Sequence, residues 1–453
     1  MGNITLRQAA QWCGGQVDPK YADVTFLGAN NDTRKLQPGQ LFVVLQGARD
    51  GHDFIPAAME AGAAAVLCSR SVGDYPAILV EDPRKALGDI AREERRRIGM
   101  KVVGVTGSVG KSTTKEMIAA VLAKSYRVSK TPENHNNDIG MPMAILSMPD
   151  DTQVAVLEMG MNHFREIAYL ASIALPDVGV ITNIGTMHIE HLGSQQGILQ
   201  AKLEILEGMN PNSKVMINGD DVLLWNVHRR DDMKATYFGM ENQECDYRAV
   251  DLQESPNRQS FRVVTPKGDL QIELELEGLH YVYDATCAVG IGMEMGVAPE
   301  QIREALADFQ NMQGRQEIFE AKGCTIIKDC YNAGPESMAA ALAVLSKKSG
   351  RRVAVLGDML ELGVCAPAEH YRLGRMVAET ADALIAYGPM SERTVSGAIT
   401  GGMANHLAKG FEDRDAAVAA LKRMARAGDV MLVKGSRGMR MELILDQFLK
   451  DET

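Results

Sequence analysis

No two of the seven cysteines stand in a C-x-x-C spacing, and they are scattered along 453 residues. That excludes a dense disulfide framework and a cysteine-built zinc site. No apolar run approaches the ~20 residues of a membrane-spanning helix. Met1–Arg7 carries no apolar signal core, so a cytoplasmic location with reduced thiols is the expectation. Positive charge is in the minority, with 48 basic against 59 acidic residues and a net charge of −11. A nucleic-acid surface is therefore not expected, and neither is a membrane partner. No internal repeat or low-complexity stretch is visible. What remains is an ordinary globular composition, 45% hydrophobic and 24% charged, on a chain long enough for two or three domains.

One basic run, Arg92 to Arg97, includes Glu93 and Glu94 and follows Asp82-Pro83, an N-cap with proline at the first helical position. With Leu87, Ile90 and Ala91 turned inward, it reads as the solvated face of a helix.

The most informative segment is Val102-Val-Gly-Val-Thr-Gly-Ser-Val-Gly-Lys-Ser-Thr113. An apolar run, two glycines and Lys-Ser-Thr predict a strand, a phosphate-cradling loop and a helix. Backbone N–H groups from Thr106, Gly107, Ser108, Val109 and Gly110 converge on phosphate in such a loop. Lys111 supplies a point charge and the Ser112 hydroxyl a magnesium ligand, with Thr113 beside it. The following helix points its positive end at the anion. Only two residues separate Gly107 from Gly110, where the common phosphate loop has four.

Around this loop the chain has the rhythm of parallel α/β structure. Leu41–Leu45 and Ala65–Cys68 read as strands, with a helix over Ala57–Ala65. Buried runs at Val154–Leu157, Val178–Ile181 and Val215–Ile217 continue the pattern. From Asp246 to His280 it changes to alternation, predicting a half-buried antiparallel edge with a turn at Lys267-Gly268. A second α/β series starts near residue 314, with strands at 325–327, 353–356, 383–386 and 430–433. The expectation is three α/β domains: 1–82, 83–313 holding the phosphate loop, and 314–453, doubly wound.

Glu158 ends a buried strand, where a carboxylate is costly unless it meets a cation. It reads as part of a Mg²⁺ shell or as a cap of the next helix. His188, past another strand end, reads either as a metal ligand or as an ordinary loop histidine. Lys202, taken alone, is a solvated helix lysine.

Taken together these segments resemble the Mur ligase family, the ATP-dependent enzymes that add amino acids to the bacterial cell-wall precursor. The matching runs are Thr106–Thr113, Asn134-His-Asn-Asn-Asp-Ile-Gly-Met-Pro142, Glu158-Met-Gly160, Asn183-Ile-Gly185 with His188, and Ala201-Lys-Leu-Glu204. The resemblance implies ATP with two Mg²⁺, held through Ser112, Glu158, His188 and a carbamylated Lys202. It places Lys111 and Arg315 on the phosphates, Asp329 near the ribose, and Asn137, His280 and Asp284 around the nucleotide. Three further segments, Asp329–Met338, Leu356–Gly363 and Val433–Glu442, resemble the branch joining D-alanyl-D-alanine to UDP-MurNAc-tripeptide. In that branch's pattern, Asp32, Thr33 and Arg34 with Asp50, Gly51 and His52 hold the uridine nucleotide. Asp358, Lys434 and Arg437 are expected to meet the dipeptide. The resemblance implies small-molecule substrates and a chain acting as a monomer. The alternative is the sister activity adding lysine or diaminopimelate, although its Asp-Asn-Pro-Arg run is absent. A nucleotide-binding regulator or transport ATPase is the rival of another class. Tyr281 and Asp284 depart from the family's two asparagines, Cys330 from serine and Gly334 from asparagine, and the first two bear on adenine recognition.

Overall fold

The computed structural model describes residues 3–47, 49–132, 135–211, 213–227 and 234–450, so Asn134 of the motif above lies outside the described residues. Near the N-terminus, five short strands form one sheet in the order 16–17, 77–79, 65–68, 41–43 and 29–30, parallel except for the first. A separate two-stranded ribbon pairs Ile4–Thr5 with Thr25–Phe26. The strand expected over Leu41–Leu45 ends at Val43, and the helix expected over Ala57–Ala65 runs Ile55–Glu60. A short turn at Gly51–Phe54, capped by Asp50, starts that helix early.

The Pro83–Ile98 helix begins as predicted: the Asp82 carboxylate accepts from the N–H groups of Arg84 and Lys85. Its inner face is Leu87, Ile90 and Ala91, all fully buried. The outer face is laced by ion pairs such as Arg96–Glu93 at 2.7 Å. Glu94 departs from the expected solvated face: it is buried, and the Arg97 guanidinium grips both its oxygens.

Among the described residues, nine strands form the central sheet. The Lys101–Thr106 strand lies between Val154–Glu158 and Val178–Ile181, all parallel. Register pairs Glu158 with Val105 and Ile181 with Thr106, so three strands deliver their carboxyl ends to one spot. In open α/β sheets that is where ligands sit. The alternating segment after Asp246 is antiparallel as predicted, but it extends this same sheet. Its inward set, Leu270, Ile272 and Leu274, is buried.

The last sheet has six strands in the order 317–321, 324–329, 430–434, 352–357, 383–387 and 408–411, parallel apart from the first. All four strands predicted for this region are present. Two apolar clusters flank it, one on each face, and neither includes a residue of the other sheets. The N-terminal and central sheets are different. One continuous cluster runs from Ile4 and Leu6 through Leu87 and Ile90 to Leu157, Ile181 and Ile217.

Candidate functional site

The phosphate loop joins the Lys101–Thr106 strand to the Lys111–Ala123 helix, with Gly110 as its N-cap. Gly107 has φ 151°, and a Cβ there would fall 1.8 Å from Thr182 Oγ1; Gly110 has φ 84° and no room to spare above Asp284 Oδ1 at 3.0 Å. Both positions demand glycine. The neighbouring Thr182–Gly185 segment fixes the loop's shape. Ser108 N–H donates to Asn183 O (3.0 Å) and Val109 N–H to Asn183 Oδ1 (2.9 Å). Thr182 Oγ1 donates to Val109 O (2.6 Å), and Gly185 N–H to Ser108 Oγ (2.8 Å). Lys111 Nζ donates to the carbonyls of Gly107 (2.9 Å) and Ser108 (3.2 Å). Burial lowers its pKa, against the raising influence of Glu158, so an arriving phosphate would restore the cation's preferred state.

Glu158 is 1% exposed and fully engaged. The Ser112 hydroxyl donates to Oε2 (2.7 Å) and Asn136 Nδ2 to Oε1 (2.9 Å), while Glu158 N–H donates to Thr131 Oγ1 (3.0 Å). A hydroxyl and a carboxylate at a helix N-terminus beside a phosphate loop fit magnesium. That ion takes one or two carboxylates and completes its shell with water and phosphate oxygens. The helix-cap alternative for Glu158 receives no support, because both its oxygens point at this site. Among the described residues no three His, Cys, Asp or Glu side chains converge as donors. A second ion would therefore need His188 and a further anionic group. His188 lines the cleft with φ 65°, and its Nδ1 lies 2.5 Å from Glu361 Oε2 of the C-terminal domain. Lys202 is 2% exposed on the Gln195–Leu203 helix, so it is not the solvated lysine that its sequence context suggests. It has no ion pair among the described residues, and burial with the nearby Lys111 charge drives its pKa well down.

The C-terminal domain closes over this floor to leave a cleft of about 1020 Å³. Arg315 reaches across, its guanidinium donating to Ser112 Oγ (2.9 Å) while lying 3.9 Å over the Tyr331 ring. Adjacent-strand register brings Lys434 onto Asp329, Nζ to Oδ2 2.6 Å, with a second bond to Asn332 O (2.9 Å). Glu336, at the start of the Pro335–Ser346 helix, accepts from the Thr186 N–H (2.8 Å) and hydroxyl (3.0 Å) of the central domain. His280 and Asp284 line the cleft from the Leu279–Glu294 helix. Burial takes His280 down to about 4, so its imidazole is neutral, and among the described residues Nδ1 has no partner. Asp284 Oδ1 accepts from Thr114 (2.6 Å) and Oδ2 is buried without a partner. Unpartnered polar atoms in a cleft with cationic walls fit a nucleotide with its own donors and acceptors.

Asn137 lines the cleft while its Oδ1 accepts from Gly140 N–H (2.8 Å) at the start of the Gly140–Leu146 helix, and its neighbour Asn136 is the one that reaches Glu158. Several other expected residues stand elsewhere. The Thr106 hydroxyl ties two strands together through Met159 O (2.9 Å) beneath the loop. Asp358 is not on the cleft: it is 4% exposed, pointing into its own domain, where Met390 N–H donates to it (2.9 Å) and His370 lies 3.7 Å away. Arg437 is also outside the cleft, exposed and paired with Glu442 at 3.2 Å. A second cavity, about 420 Å³, lies between the N-terminal and central sheets and includes Asp32, Lys35, Lys130 and His135. Arg34 forks onto Asp32 from a turn containing Thr33, holding that carboxyl down to about 2. Asp50, beside Gly51, is held low by the backbone and ring of His52 and pairs with Arg70 at 2.8 Å, outside that cavity. Asn136, Tyr331, Glu336 and Lys115 escaped the sequence reading. Lys115 alone had a signal, a lysine one turn past Lys111 on an otherwise apolar helix face.

Three family models match consecutive stretches of the chain: the Mur ligase family catalytic domain at residues 24–95, the Mur ligase middle domain at 105–292, and the Mur ligase glutamate ligase domain at 314–437. This chain belongs to the Mur ligase family. It is 38% identical to UDP-N-acetylmuramoyl-tripeptide–D-alanyl-D-alanine ligase of Bacillus subtilis, with 98% of each chain covered. Its fold matches the crystal structure of MurF from Acinetobacter baumannii with a TM-score of 0.91 at 30% identity, covering all of both chains. It matches the MurF ligase of Thermotoga maritima in complex with ADP with a TM-score of 0.82 at 28% identity, over 93% and 96% of the chains. In this Mur ligase, Arg315→Ala should lower kcat/KM for ATP roughly tenfold, the loss expected for one charge-assisted hydrogen bond. The melting temperature should move little, since Arg315 bridges domains and does not fill a core. Steady-state kinetics with thermal unfolding checks both.

Proposed function

We propose that this enzyme joins D-alanyl-D-alanine to UDP-MurNAc-tripeptide, consuming ATP and giving UDP-MurNAc-pentapeptide, ADP and phosphate. Full-length likeness to enzymes of that name supports the substrates. The observation that carries the chemistry is Arg315 on Ser112, which sets the C-terminal domain over the phosphate loop. A carboxylate is a poor acylating agent, so the tripeptide carboxylate takes the γ-phosphoryl group of ATP, and the dipeptide amine then displaces phosphate from carbon. Lys111 and Arg315 offset the charge that gathers when a carboxylate meets a phosphate. Ser112 and Glu158 would hold a Mg²⁺ ion, which would supply further charge neutralisation. Glu336 and Glu361, by holding Thr186 and His188, close the seam and keep out the water that would hydrolyse the activated carboxyl.

His188 and a carbamylated Lys202 would complete a second metal site. Carbamylation needs a neutral amine, which a buried lysine beside Lys111 provides. Asp329 suits the ribose and Lys434 the dipeptide carboxylate or the transferred phosphate. The 420 Å³ cavity, with Lys35 and Lys130, suits the diphosphate and uridine of the sugar nucleotide. No helix among the described residues is long and apolar enough to cross a membrane.

The test is ADP release with purified tripeptide substrate. Release should depend on both the sugar peptide and D-alanyl-D-alanine, and lysine or diaminopimelate with the dipeptide precursor should not support it. ADP formation without any acceptor would point to a plain ATPase.

A further inference from the structure

We propose that Lys115 is a positioning residue of the phosphate-transfer site, an internal counter-charge that fixes the Glu158 carboxylate and the backbone at Thr131. The inference rests on the phosphoryl-transfer reading of the cleft and concerns a residue that touches no substrate.

Lys115 sits one turn beyond Lys111, and its side chain is completely buried. A buried ammonium is costly unless paired and hydrogen-bonded. Here Nζ donates to Thr131 O (2.7 Å), lies 3.1 Å from Glu116 Oε1, and stands 3.9 Å from Glu158 Oε2. Among the described residues it is the one cation within ion-pair distance of Glu158. Thr131 is held twice over: its carbonyl by Lys115, and its hydroxyl by the N–H of Glu158. Lys115, Thr131 and Glu158 thus form a closed loop joining the phosphate-loop helix to the ends of two strands. Asn136, five residues past Thr131, and Ser112 are the hydrogen-bond donors to the Glu158 carboxylate.

The three lysines around the phosphate loop have different company. Lys111 holds only loop carbonyls, which a phosphate can replace. Lys202 has no carboxylate partner among the described residues. Lys115 alone is anchored to carboxylates on both sides, so it is a fixed part of the scaffold and not a reacting group.

Removing the charge should free Glu158 to rotate, and metal binding should suffer before protein or nucleotide binding does. Lys115→Met should need about tenfold more Mg²⁺ for half-maximal ADP binding measured by calorimetry, a loss typical of groups that orient a metal ligand. Lys115→Arg, which keeps the cation, should stay within about threefold of the parent even if its melting temperature falls. Thr131→Val cuts the same loop at its other end and should shift Mg²⁺ dependence in the same direction, which keeps the test open if Lys115→Met does not fold. An unchanged Mg²⁺ requirement in a folded Lys115→Met would overturn the proposal, as would tighter Mg²⁺ binding, which would make the lysine only a competing charge. Equal shifts in the Met and Arg variants, tracking lost thermal stability, would reduce it to a packing role. If the parent enzyme shows no Mg²⁺-dependent ADP binding, the phosphoryl-transfer reading itself has failed.

Discussion

Lys202→Ala should lower the rate of ligation by roughly 10²–10³-fold, the loss seen when one preorganised charge-stabilising group is removed from a reaction centre. The residue is 2% exposed, carries no ion pair among the described residues, and is depressed by burial and by the Lys111 charge. An amine so placed would take up CO₂ more readily than a solvated lysine, and the product would be a carboxylate-like group where metal donors are scarce. A small carboxylic acid such as formate or acetate, added to the alanine variant, should restore part of the rate by entering the vacated space. Adding a primary amine in its place should not. Circular dichroism and thermal unfolding separate this from simple loss of the fold, since a buried lysine replaced by alanine also leaves a void. Full activity in Lys202→Ala, or no difference between acid and amine in the rescue, would sink the carbamylated-lysine reading.

Asp284→Asn should stabilise the enzyme, and the gain should grow with pH. Burial pushes the Asp284 carboxyl up to about 7 from 3.8, against the lowering pull of the Thr114 hydroxyl and the Arg315 guanidinium. Below pH 3.8 both folded and unfolded chains keep the proton, and the group costs nothing. Between about 4 and 7 the unfolded chain has released it while the folded chain has not, so folding must retain a proton that solution would take. Stability then falls by about 1.4 kcal/mol per pH unit across that window, and levels off above the folded pKa. The asparagine amide keeps the acceptor for Thr114 and has nothing to titrate. A gain on the order of 2–4 kcal/mol at pH 8, shrinking towards zero at pH 4, is the expected result. Thermal unfolding of both forms between pH 4 and 8.5 reads it directly, and a gain constant with pH would refute the assignment. The same substitution adds a donor towards the cleft, so the Michaelis constant for ATP should fall while that for the sugar nucleotide stays put.

Most of the architecture was legible because strand runs and glycine turns are local signals. The phosphate loop declared itself through Gly107, Gly110 and Lys111, and the predicted strands lie where the apolar runs stand. Site geometry was legible only where a strand end carried an odd residue, as with Glu158. Asn136 and Asn137 are adjacent in sequence and chemically identical; which one turns to Glu158 is decided by the helix that the other caps. Asp358 and Arg437 follow strand ends just as Lys434 does, yet one is drawn inward by Met390 N–H and the other outward by Glu442. Glu336 needed the fold itself, since its partner Thr186 is 150 positions away.

The apolar cluster that runs without a break from the first sheet into the central one has a mechanical consequence. The first two sheets are expected to turn as one block, with the C-terminal domain, which has its own apolar clusters, swinging against them. The hinge is then the Gln310–Gln316 connection, between the Pro299–Ala307 helix and the Glu317–Ala321 strand. On the proposed function, a long substrate anchored at its uridine end would stay still while its reactive end is lidded. Opening for product release would part contacts that include those of Arg315, Glu336 and Glu361 and the lysine pairs at Lys347 and Lys348. Stiffening the Gln310–Gly314 part of that connection, which leaves the cleft residues Arg315 and Gln316 unchanged, should slow turnover.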